Sequence, residues 1–252
     1  MEPVLFYGVP QGCSFGSIVA LEWLGKPYRL CRMEMMEQPW DARFAKVNPR
    51  FKTPALLTED DEMLSESLAI LLHAASRNPE HPLGVRHGSA EADRLHQMLS
   101  YLVSDFFAAF NPLWVLYDGA AGIGPLADKG VDASHQELLL TVARTDIAEQ
   151  CAYLDGLLAD RQWLLGERSV ADAYLTGVGR WVAYHNRNYG LFELEGAYQN
   201  LAGYLRRLDD DPAVQFARAI ERGEQPTGKG HFQGHVSLRE LESRLAAKAS
   251  TS

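Results

Sequence analysis

The feature that most constrains the fold of this 252-residue chain is a change of hydrophobic period part-way along it. Up to residue 78, short β-branched and aromatic runs alternate with helical patterns. Beyond residue 89 only helical spacing remains. Residues 4–7, Val-Leu-Phe-Tyr, read as a buried strand stopped by Gly8 and Pro10. From Ser14 the apolar positions Ile18, Val19, Leu21, Trp23 and Leu24 recur at helical spacing until Gly25, a C-cap, and Pro27. Residues 28–33 suit a second strand, 40–46 a short helix, and 55–57 with 62–64 two strands around Glu59-Asp60-Asp61. Ser65-Glu66-Ser67 opens a helix that Asn78-Pro79 ends, so the order is βαβαββα.

The segment 81–88, rich in Pro, Gly and polar residues, reads as a linker between domains 1–80 and 89–225. Helical periodicity then covers about 90–117, 134–160, 170–185, 198–208 and 213–222, which predicts an all-α bundle. Residues 226–252 form an extension: a Gly-rich polar stretch, a charged, weakly amphipathic helix candidate and a frayed Ala-Ser-Thr-Ser end. No chemistry attaches to it, and strand signals stop before it.

A formal charge of -9, from 33 acidic and 24 basic residues, argues against nucleic acid or an anionic membrane as a partner. No run of ~18 apolar residues and no basic-then-apolar leader is visible, so the expectation is a protein with no membrane span. Three cysteines at wide spacing, Cys13, Cys31 and Cys151, fit neither a disulfide framework nor a zinc site, and point to a reducing, cytoplasmic compartment. The eight histidines show no ligand spacing, so no metal is expected.

Chemistry concentrates at three places. In Gly8-Val9-Pro10-Gln11-Gly12-Cys13-Ser14 a strand turns into a helix, where unpaired amides and the helix dipole favour a thiolate over the ordinary thiol of pKa about 8.5. The sulfur belongs either to Cys13 or to a bound thiol to which Ser14 donates; the plainer reading has Ser14 as N-cap and Cys13 as packing. Lys52-Thr53-Pro54-Ala55-Leu56 puts a proline before a strand, an ordinary trans proline or a cis one exposing the Thr53 backbone to an extended peptide. Glu66-Ser67 at a helix start suits an α-amino acid head group, or simply stabilises the helix. A fourth pattern, Ser169-Val170-Ala171-Asp172, is a structural capping box.

In order and spacing, Phe6-Tyr7, Gly12-Cys13-Ser14, Asn48-Pro49, Thr53-Pro54-Ala55-Leu56, Leu64-Ser65-Glu66-Ser67 and Ser169–Tyr174 resemble the glutathione S-transferase superfamily. The resemblance implies a thioredoxin-like N-terminal domain, an all-helical C-terminal domain, and glutathione as co-substrate. It implies that the Thr53 backbone, beside a cis Pro54, pairs with the cysteinyl part of glutathione. Glu66 and Ser67 then hold the γ-glutamyl end, and Lys52 meets the glycyl carboxylate. It leaves Ser14, Cys13 and Tyr7, in that order, as candidates for the activating group, with Tyr7 placed in the core by its buried strand. The Gly-Cys-Ser turn is similar to that of bacterial beta-class members, in which the cysteine can form a mixed disulfide with glutathione, although Phe107-Ala108 stands where that class has a His-Lys pair. Asp105 is then the nearer polar group at the domain interface. Phe15, Phe107, Phe110, Trp114 and Tyr117 either line an acceptor pocket or belong to the bundle core, which most of them suit better. The function implied is transfer of the glutathione thiolate to a small electrophile, in a homodimer. The alternatives are glutathione-dependent disulfide or peroxide reduction through Cys13, and a non-catalytic module that binds a protein partner.

Overall fold

The computed structural model of the chain describes residues 1–10, 12–37, 39–120, 131–226 and 228–246; Gln11 of the turn and the expected frayed end lie outside them. β1 (Val4–Val9), β2 (Tyr28–Glu34), β3 (Ala55–Leu57) and β4 (Met63–Ser65) are joined by α1 (Phe15–Leu24) and a 3-10 turn (Ala42–Lys46), and α2 (Ser67–Ser76) follows. A fifth strand, β5 (Phe232–His235), gives the order β4-β3-β1-β2-β5. β1 runs parallel to β2 and antiparallel to β3, β3 is antiparallel to β4, and β5 runs parallel to β2.

Alternation along the strands makes two faces. Leu5, Tyr7, Val9, Tyr28, Leu30 and Leu56 face the helices. Val4, Phe6, Cys31, Met33, Ala55 and Leu57 face the other way, where Phe44, Val47 and three residues of the C-terminal segment, Leu238, Leu241 and Leu245, cover them. The extension is therefore part of the core, a correction to the expectation that strand signals stop before it. The Phe-Gln-Gly-His sequence carries no apolar alternation, and its pairing comes from the open edge of β2. A short helix, α11 (Glu242–Ala246), follows, and Arg244 pairs with Asp61 at 2.5 Å.

All ten residues of α1 are buried, because the sheet covers one side while helices of the C-terminal half cover the other. Those helices are α3 (Ala90–Tyr101), α4 (Asn111–Ala120), α5 (Ala133–Leu157), α6 (Val170–Val178), α7 (Arg180–Tyr189), α8 (Leu194–Ala197), α9 (Gln199–Asp209) and α10 (Pro212–Glu221). α1 and α6 cross closely: a Cβ on Gly16 would stand 2.5 Å from the Ala173 carbonyl oxygen. The expected capping box is present, and Asp172, fully buried, accepts from the amides of Leu164 and Ser169 and the hydroxyl of Tyr204.

Residues 90–117 form one helical run, broken only by a π-helical turn (Leu102–Phe107) and a 3-10 turn (Ala108–Phe110). It is long and apolar enough to cross a membrane by length and composition, which the sequence reading overlooked. Leu95, Leu99, Leu102, Phe106, Phe110 and Leu113 of this run are all buried in the core, the behaviour of a central helix in a globular fold.

Candidate functional site

The turn after β1 is held by its own backbone and one side chain. Gly8 N–H donates to Ser14 Oγ at 3.1 Å, and Phe15 N–H donates to the Gly12 carbonyl at 3.2 Å. A Cβ on Gly12 would lie 2.4 Å from the Gly8 carbonyl oxygen, so only glycine fits there. Ser14 itself is 1% exposed and helical in backbone, and its side chain caps nothing. Ser14 stands at the N-cap position as expected, but the capping bond is not made: the hydroxyl reaches back across the turn to Gly8 instead of forward to the α1 amides.

Cys13 is half-buried and is the one cysteine of the three that is not fully enclosed. Burial pushes its thiol up to about 11, against the pull of its own backbone amide and of the cations Arg180 and Lys52. The depressed Cys13 thiol expected from the helix start is therefore corrected. Desolvation outweighs the backbone amide and both cations.

Tyr7, the last of the three candidates, lies in the core where its buried strand places it. Its ring is buried on the helix-facing side of the sheet, its hydroxyl meets His235 Nε2 at 3.0 Å, and burial raises its pKa. It points to the C-terminal strand and does not line the cavity beside Cys13.

That cavity, about 480 Å³, lies between the sheet end and the helices. On one side stand Pro10, Gly12, Cys13, Lys52 and Thr53. Phe107, Trp114, Tyr117, Trp181 and Tyr184 form the other. Of the aromatic residues weighed from sequence, Phe107, Trp114 and Tyr117 line it, while Phe15 and Phe110 are core. A larger groove of about 670 Å³ runs along residues 158–168, but it is drawn from a single surface loop.

The Thr53–Pro54 peptide is cis, as is Val9–Pro10. Asn48 shapes the approach: its Nδ2 donates to the Lys52 carbonyl at 2.9 Å and its Oδ1 accepts from Arg50 N–H at 3.0 Å. Glu66 is the N-cap of α2 at φ 74, a left-handed conformation uncommon outside glycine, and its carboxylate pairs with Arg50. Ser67 is the first residue of that helix. The structure thus brings Cys13, Lys52 and Thr53 to one cavity, whereas Ser14, Pro54, Glu66 and Ser67 support or flank it without lining it.

Sequence reasoning missed Arg180, Trp181, Tyr184 and Trp40. Arg180 Nη2 donates to the Gly12 carbonyl at 3.3 Å, and the guanidinium carbon sits 4.1 Å above the Phe15 ring. Its sequence signal is only an arginine within an otherwise apolar helical stretch. Behind the aromatic wall His185, fully buried among Phe110, Trp114 and Tyr189, leaves both ring nitrogens without a hydrogen-bond partner, and burial lowers its pKa to about 4. Among the described residues no group of three histidine, cysteine or carboxylate side chains is arranged to hold a metal.

Residues 13–77 match the family model for the glutathione S-transferase N-terminal domain. A sphingomonad glutathione S-transferase solved in complex with glutathione is 30% identical, with a TM-score of 0.69, over 87% of this chain and 98% of that one. The chain belongs to the glutathione S-transferase superfamily. A bacterial beta class glutathione S-transferase from Sphingomonas chungbukensis is also 30% identical, at TM-score 0.69, over 86% of this chain and 98% of that one. The glutathione S-transferase GstA of Escherichia coli O157:H7 is 29% identical over 221 residues, 86% of this chain and 98% of GstA. The mixed sheet followed by helices is the fold of this superfamily.

Proposed function

We propose that the protein binds glutathione against the turn at Cys13 and transfers its thiolate to an electrophilic, apolar substrate held by the aromatic wall. The observation that carries this is the shared cavity, in which Cys13, Lys52 and Thr53 face Trp114 and Trp181 across about 480 Å³. A site of that kind positions a sulfur beside an acceptor in a space poor in water.

In this reading the Thr53 backbone pairs with the cysteinyl unit beside Pro54, and Lys52 meets the glycyl carboxylate. Glu66 accepts from the γ-glutamyl ammonium, while the Ser67 hydroxyl and the start of α2 hold its carboxylate. The amides at Cys13 and Ser14, together with the Ser14 hydroxyl, stabilise the incoming thiolate. Support for a bound thiol as the nucleophile comes from the Cys13 thiol itself, which burial keeps protonated at neutral pH. The domain division 1–80 and 89–225, with 81–88 between, belongs to the same reading.

A second reading has Cys13 attack one sulfur of a glutathione disulfide, forming a mixed disulfide and releasing glutathione thiolate. Its support is that Cys13 alone of the three thiols lines the cavity. A homodimer and a cytoplasmic location complete the proposal. They are supported by exposed Val115, Leu138, Val142 and Tyr153 on α4 and α5 and by three free thiols.

The test is the ultraviolet thiolate absorbance that appears when glutathione is added to the purified protein at neutral pH. A signal lost in Ser14→Ala and kept in Cys13→Ala supports thiolate transfer with Ser14 as activator. No signal in the wild type, together with a glutathionyl adduct trapped on Cys13, moves the function to the second reading.

A further inference from the structure

We propose that Glu221 is a positioning residue for the Cys13 turn, acting through Arg180. The inference concerns how the turn is held and stands whichever thiol the cavity takes. Arg180 opens α7 yet reaches back to the first turn of the chain, where its Nη2 donates to the Gly12 carbonyl and its guanidinium covers Phe15. Apart from that 3.3 Å contact, its Nε donates to the Gly177 carbonyl at 2.9 Å, a bond to the preceding turn that leaves the outer end of the guanidinium free to swing. Glu221 fixes that end. Arg180 Nη1 lies 2.6 Å from Oε2 and Nη2 2.8 Å from Oε1, a two-point pair whose side chains are 18% and 14% exposed.

Glu221 is in turn held in place. It is the last residue of α10, and Arg32 Nη1 donates to the carbonyls of Ile220 at 3.1 Å and Glu221 at 3.0 Å, tying that helix end to β2. A continuous polar line therefore runs from β2 through the end of α10 and Arg180 to Gly12. The carbonyl it grips belongs to the residue before Cys13, and the ring it covers belongs to the first residue of α1. Both ends of the reactive turn are thus set by a carboxylate 206 to 209 positions further along the chain. Arg180 also draws the Cys13 thiol downward, so its placement bears on the sulfur as well as on the backbone.

The experiment is hydrogen exchange read by mass spectrometry on the amides of residues 12–17 in the full chain. Glu221→Leu and Arg180→Met are each expected to speed that exchange by about threefold or more. The double variant is expected to be no faster than either single one, because both remove one link. Glu221→Gln, which keeps an acceptor for the guanidinium, should restore slow exchange, a recovery that loss of packing alone would not give. Exchange unchanged in Glu221→Leu, or effects that simply add in the double variant, would overturn the proposal. Should Glu221→Leu not fold, Arg32→Met removes the grip on the α10 carbonyls together with the Arg32–Glu34 pair and is expected to speed exchange at residues 12–17 in the same direction, whereas Glu34→Ala, which removes only that pair, is expected to leave it slow; no change in Arg32→Met, or equal speeding in Glu34→Ala, overturns it equally.

Discussion

Ser14 Oγ accepts the backbone N–H of Gly8 at 3.1 Å across the turn that carries Cys13. Both groups are shut away from water, so the bond does structural work before any chemistry begins. Ser14→Ala leaves the Gly8 amide without a partner and is expected to cost about 1–3 kcal/mol. Equilibrium urea denaturation checks this. A loss of activity with unchanged stability would instead assign Ser14 to chemistry alone.

Asp172 carries a heavier burden, with two amides and the Tyr204 hydroxyl converging on a fully buried carboxylate. Burial pushes its pKa up while those bonds oppose the rise. Asp172→Ala removes the α6 cap and orphans buried donors together, and is expected to cost about 3 kcal/mol or more. The readout is the shift in denaturation midpoint at unchanged slope.

His185 gives the stability a pH dependence of known sign. Its folded pKa, about 4, lies below the unfolded value of 6.5, so the unfolded chain takes up the proton first. The contribution is intact above pH 6.5 and is lost as the pH falls towards about 4, in total about 3 kcal/mol. His185→Phe should flatten the stability profile in that window, measured by denaturation at neutral pH and near pH 4.

The crossing of α1 and α6 leaves no room for a methyl group at Gly16, since the nearest atom is the backbone oxygen of Ala173. Gly16→Ala must push the two helices apart, at an expected cost of about 1–3 kcal/mol. A thermal melt shifted downward confirms it, and an unshifted one refutes the close crossing.

Trp114 faces the cavity opposite Cys13 and packs edge-on against Trp181, with ring centroids 4.8 Å apart. Trp114→Ala is expected to raise KM for an apolar acceptor by about tenfold while glutathione affinity changes by less than about twofold. Steady-state kinetics with each substrate varied in turn separates the two effects.

The first 80 residues were largely legible because their determinants are local. Gly25 takes the left-handed C-cap conformation that its place before Pro27 predicts. The same local logic holds in the helical half, where Asp172 closes the capping box three residues after Ser169. Ser14 shows where such reading fails. A serine at a helix start prefers to cap, but the neighbouring Gly8 amide, brought close by the turn, competes for the same oxygen and wins.

What the sequence by itself determined is the βαβαββα order of the first 80 residues, the helical run after it and the place of the Gly-Cys-Ser turn, since period, caps and turn residues act over a few positions. Tertiary structure alone decided the rest. β5 has no strand pattern of its own and exists because β2 leaves an edge unpaired. The contact from Arg180 to Gly12 spans 168 positions, and the cavity wall joins Cys13 to Trp181 across a similar interval. The Cys13 thiol is raised and not lowered because burial, a property of everything packed around it, exceeds the pull of its backbone amide and of Arg180 and Lys52. Such effects depend on which distant surfaces meet, and no local period encodes that.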